Sequence, residues 1–155
     1  MICVIALPHA LSAQTRLSLG AGAGIAGSTD ASLSEGKSGP VVMGQLTRLV
    51  LPFVELGGEV EYWRHSSLNV TFATGVVQVH VPSTGLFVKA GAGYGTGDAD
   101  GRGRVSGVAG QVGLGYDITI PASPIGFTLF GNGSLAYGTA RSFQLVDGGL
   151  AITFR

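Results

Sequence analysis

The stretch Leu17 to Gly27, LSLGAGAGIAG, admits two readings that lead to different folds. Gly22, Gly24 and Gly27 spell G-x-G-x-x-G, the spacing of a dinucleotide-binding loop. That loop works only between a buried strand and a helix whose N-terminus faces the pyrophosphate. Here the glycines run into STDASLSEGKSGP (28–40), which has no apolar stripe at helical spacing and closes on Gly39-Pro40. Parity supplies the other reading. Gly20, Gly22 and Gly24 share one face of an extended chain, while Leu17, Leu19, Ala21, Ala23 and Ile25 share the other. A period of two marks a β-strand.

The same alternation recurs along the chain, broken by two kinds of punctuation that take turns. Short, proline-built breaks lie at VLPF around Pro52, HVPSTG around Pro82 and IPASPIG around Pro121 and Pro124. Longer or more polar breaks cover Ser28 to Pro40, Arg64 to Asn69, Gly95 to Arg104 and Gly138 to Ser142. Between them lie about eight strands, near 16–27, 41–50, 53–64, 70–81, 86–95, 105–118, 126–137 and 143–154. Each approaches the 9–11 residues of a tilted membrane strand. An even number of strands, with short turns at one end and longer loops at the other, predicts an all-β, eight-stranded antiparallel up-and-down barrel.

One face of these strands is apolar and uncharged, including Leu56, Val60, Val88, Val112, Leu114, Leu129, Leu150 and Ile152. The other combines glycine with Glu55, Glu59, Glu61, Gln78, His80, Lys89, Gln111 and Asp117. The second strand is ambiguous, because Gln45 and Arg48 fall on opposite faces. A soluble ligand-binding barrel would turn the apolar face inward, but an eight-stranded interior is barely wide enough for side chains and would be overfilled. Glycine would then dominate the water face, where it only weakens strands. Turned the other way, lipid meets the apolar face and glycine leaves room for polar groups in a narrow lumen. Tyr62, Tyr94 and Tyr137 end strands before the long loops, and Tyr116, Phe127 and Phe154 lie at the short-turn end, as two interfacial girdles require.

Composition agrees. Charged residues make up 12% of the chain and hydrophobic ones 45%, and 27 of 155 residues are glycine, more than twice the usual share of about 7%. The net charge of zero carries no footprint of a nucleic-acid partner. MICVIALPHALSA (1–13) resembles the apolar core and small-residue cleavage site of a secretory signal, leaving a barrel domain over 14–155 that lacks the single cysteine, Cys3. Such signals open with Lys or Arg, which this one lacks, as though the start were placed too late.

The secretory start, the alternation and the ending GGLAITFR make the chain similar to the small bacterial outer-membrane β-barrels, the eight-stranded OmpA/OmpX-like group. The resemblance implies integral residence in the outer membrane of a Gram-negative envelope. It also implies a C-terminal strand read by the barrel-assembly machinery as an insertion signal. Leu150, Ile152 and Phe154 fit the amphipathic aromatic ending, with Arg155 one residue beyond it.

Three local features could carry chemistry. Lys89 is expected among the lumen carboxylates, with Arg48 joining from the rim, since buried charges survive only when paired. Arg64-His65-Ser66-Ser67 places a histidine beside serines, which resembles the His and Ser of outer-membrane lipid A deacylases, without a matching downstream Glu. Asp98 and Asp100 precede Gly101 as in a calcium loop that lacks its closing Glu. The expectation is a monomer without catalytic residues, cofactor or metal, whose lumen is filled by polar side chains and glycine. Outer-membrane lipid is its partner, and its role is structural or adhesive through the loops at Ser28–Pro40 and Gly95–Arg104. A narrow porin-like channel for water or small ions is the alternative, followed by a lipid A hydrolase and a soluble ligand-binding barrel.

Overall fold

The computed structural model describes residues 14–28, 36–66, 68–99, 103–138 and 142–155. The expected signal segment 1–13 lies outside the described residues, as do 29–35, Ser67, 100–102 and 139–141. Eight strands follow one another: β1 Thr15–Ser28, β2 Lys37–Leu51, β3 Val54–His65, β4 Leu68–His80, β5 Leu86–Ala99, β6 Gly103–Thr119, β7 Ile125–Gly138 and β8 Ser142–Phe154. Each is antiparallel to the next, and β8 returns to β1 from Leu17↔Phe154 to Ser28↔Phe143, closing the barrel. Closure leaves no unpaired strand edge, which a bilayer would not tolerate.

The three short turns share one construction. Pro52, Pro82 and Pro121 are each followed by a left-handed residue, Phe53, Ser83 and Ala122, with φ of 71°, 63° and 60°. Proline fixes the first central torsion, and a positive φ at the second is the signature of a type II turn. Thr84 N donates to the Val81 carbonyl and Ser123 N to that of Ile120, each at 3.2 Å, closing two of these turns.

At the opposite end the strands run farther than their sequence suggests. Gly95–Arg104 reads as a loop, yet β5 continues to Ala99 and β6 begins at Gly103. The glycines there make room for rings. A Cβ on Gly97 would stand 2.6 Å from the Phe143 ring, so glycine lets that ring lie on the β5 backbone. Similarly, β2 starts at Lys37 in register with Ala26, inside the stretch Ser28–Pro40, and the break at Arg64–Asn69 contracts to the turn between His65 and Leu68.

The outer face is a continuous apolar belt, with Val112 and Leu114 each 64% exposed and Val60, Val88 and Leu150 also open. Soluble monomers confine exposed apolar patches to a few hundred Å². A belt around the whole circumference calls for hydrocarbon as its solvent. The tyrosines Tyr62, Tyr94 and Tyr137 face outward at the loop end, and Tyr116, Phe127 and Phe154 at the short-turn end. In β2, Met43, Gln45 and Thr47 point inward, whereas Arg48 faces outward with Leu46 and Val42. The expectation that Arg48 joins the lumen is therefore corrected by its parity.

Candidate functional site in the barrel lumen

The interior divides into three tiers. Nearest the short turns, strand parity turns Arg16, Glu55, His80, Asp117 and Thr128 into the lumen. Arg16 grips Asp117 with both terminal nitrogens, the Nη1 to Oδ2 bond being 2.6 Å, and its Nη2 also donates to Thr128 Oγ1 at 2.9 Å. Thr128 in turn donates to Asp117 Oδ1 at 2.6 Å. Glu55 accepts from Thr47 Oγ1 at 2.6 Å and lies 3.1 Å from His80 Nε2 and 3.8 Å from Arg16. Arg155 reaches back to Asp117 at 3.6 Å. Arg16, Glu55, His80, Asp117 and Arg155 line a cavity of about 440 Å³ at the short-turn mouth.

The middle tier is a second network. Lys89 pairs with Glu59, whose other oxygen accepts from Gln111 Nε2 at 2.6 Å, while Gln111 Oε1 accepts from Thr74 at 2.7 Å. Glu61 accepts from Asn132 and, at 3.0 Å, from Ser134 Oγ, and Asn132 also donates to Asp147 at 3.3 Å. Gln78 accepts from Gln45 Nε2 at 3.3 Å and contacts His80 of the first tier at 3.0 Å. All eight residues expected in the lumen, Glu55, Glu59, Glu61, Gln78, His80, Lys89, Gln111 and Asp117, thus face the interior, and Lys89 stands among carboxylates.

The third tier corrects the expectation of a lumen filled by polar groups and glycine. Toward the loop end the interior is apolar: Trp63, Leu68, Val70, Phe72, Phe143 and Leu145 are buried against one another with Val41 and Ala26. Trp63 Nε1 donates to the Gly24 carbonyl at 3.1 Å, so the ring's one polar atom is satisfied in the apolar tier. The sequence signal for this tier was parity, since Trp63 is in phase with Glu59 and Glu61, Phe72 with Thr74, and Leu145 with Asp147.

The remaining candidates stand apart from the lumen. His65 Nδ1 contacts the Ser38 carbonyl at 2.8 Å, and its ring stacks on Trp63 with centroids 6.1 Å apart. Among the described residues no carboxylate orients it, and Ser67 lies outside them. Asp98 faces outward at the end of β5, Asp100 and Gly101 lie outside the described residues, and among those described no cluster of three acidic, His or Cys side chains could hold a metal ion.

A closed eight-stranded barrel with an apolar outside and a filled inside is the architecture of the small outer-membrane β-barrels, and the chain has that fold. The crystal structure of Neisserial surface protein A superposes with a TM-score of 0.60 at 8% identity, covering 89% of this chain and 96% of the other. Ail, the attachment invasion locus protein of Yersinia pestis, in complex with the heparin analogue sucrose octasulfate, gives 0.59 at 13% identity, covering 92% and 99%. The N-terminal barrel domain of Pseudomonas aeruginosa OprF gives 0.57 at 17% identity, covering 92% and 99%. No family model matches the chain, and no curated protein does.

Proposed function

We propose that the chain is an integral outer-membrane protein with a structural or surface-interaction role, presented through its loop end, that neither conducts nor catalyses. The observation that carries this reading is the apolar tier of Trp63, Phe72, Phe143 and Leu145, buried against one another in the lumen above two polar tiers. A pore needs a continuous polar path, and eight strands leave little room for one. The hydrolase alternative finds no support among the described residues: His65 Nδ1 contacts the Ser38 carbonyl, no carboxylate orients the ring, and Ser67 lies outside them. A soluble ligand-binding barrel is incompatible with the exposed belt. The surface role draws support from the similarity to a neighbour named for attachment and invasion and bound to a heparin analogue.

The test is reconstitution into planar bilayers at high salt, followed by display on cells without adhesins. The expected record is flat, with no unitary steps. Adhesion to matrix-coated plates should fall when 29–35 and 100–102 are replaced by short Gly-Ser turns. Steady unitary steps would instead support the channel reading.

A further inference from the structure

On the wall formed by β2, β3 and β4 the barrel is thinned by outward glycines. Gly44, Gly58 and Gly75 all face out, with Gly58 in register with both Leu46 and Gly75. Their surroundings differ from those of inward glycines. A Cβ on Gly57 would fall onto the Leu46 carbonyl, so the barrel itself demands glycine there. A Cβ on Gly44, Gly58 or Gly75 would meet nothing closer than 3.7 Å. Among the described residues nothing requires glycine at these three positions. Glycine weakens a strand and marks places where another molecule approaches the backbone.

The consequence is an open, mainly apolar groove of about 810 Å³ lined by Leu46, Leu56, Val60 and the glycine backbone, with Arg48 among its lining residues. Arg48 stands three residues before β2 ends at Leu51. Between the short turns and the tyrosine girdle it is the one charged side chain facing outward among the described residues, and it forms no ion pair with them. A cation on the lipid face costs roughly 2–4 kcal/mol at the midplane and about 0–1 near the interface, so this position suits head-group level. A guanidinium there matches a phosphate with two parallel hydrogen bonds.

We propose that this groove is a lipid site, holding one acyl chain of an anionic phospholipid whose phosphate meets Arg48. The inference rests on the membrane reading of the belt and adds a specific occupant to it. The site belongs to the leaflet at the short-turn end.

The test uses the full chain refolded in micelles, its barrel verified by heat-dependent migration, and native mass spectrometry with equal amounts of phosphatidylglycerol and phosphatidylcholine. Wild type should retain one phosphatidylglycerol in about fivefold preference, the factor that corresponds to ~1 kcal/mol per basic residue near a lipid surface. Arg48→Gln should abolish the preference, and Gly58→Leu should lower retention of both lipids. Gly110→Leu, also outward and in open space but away from the groove, should behave as wild type. Equal retention of the two lipids by wild type, or an undiminished preference in Arg48→Gln, would overturn the proposal. So would a dimer that Gly58→Leu dissociates, which assigns the groove to a second copy.

Discussion

Arg16 illustrates how much one inward side chain can carry. Only 4% exposed, it ties Asp117 and Thr128 together, approaches Glu55 and lies 5.9 Å over the Phe87 ring. Replacing it by Met would remove the guanidinium that grips Asp117 and leave that carboxylate only the more distant Arg155, and breaking a buried pair in this way costs about 3–5 kcal/mol. We expect Arg16→Met to lose that much in urea unfolding from lipid vesicles. Arg155→Ala, which removes a quarter-exposed partner of the same Asp117, should change stability by less than about 1 kcal/mol. At this scale the sequence was only partly legible. The acidic and amide residues announce themselves on a glycine-rich face, because chemistry and parity agree. Trp63 and Phe72 are hidden by chemistry and revealed only by counting from Glu61 and Thr74. A narrow lumen accepts any inward side chain that fills it, so polarity alone cannot name the set.

Elements obey the same logic. Proline punctuation located the three short turns well, because proline imposes a torsion that a central strand cannot use. Ser83 and Ala122 nevertheless hold a positive φ that side-chain-bearing residues adopt at a cost of about 1–2 kcal/mol. Ser83→Gly and Ala122→Gly should therefore each raise stability, by roughly 0.5–1 kcal/mol once the added freedom of the unfolded chain is counted. A fall in the urea midpoint of both variants would show that the turns are not strained. Loop-end boundaries were less legible. Glycine in Gly95–Arg104 looks like flexibility in one dimension, whereas Gly97 is glycine because the Phe143 ring occupies the space its side chain would need. Only the partner strands across the lumen carry that information.

For the whole molecule, the decisive arrangement is an inside-out one: apolar surface around the circumference, ion pairs and amides within the short-turn half, and aromatic packing within the loop half. Alternation over eight segments sufficed to predict the closed barrel, because only closure satisfies every strand edge in hydrocarbon. It did not predict the division of the lumen, which depends on how tilt brings side chains from distant strands to one level. The direct measurement of this account is a mobility comparison of the full chain folded in micelles and in plain buffer, each run unheated and boiled. The account predicts a heat-sensitive shift in the micelle sample alone, with aggregation in buffer. A folded, soluble monomer in buffer would contradict it, since a belt exposing Val112 and Leu114 could not then be facing water.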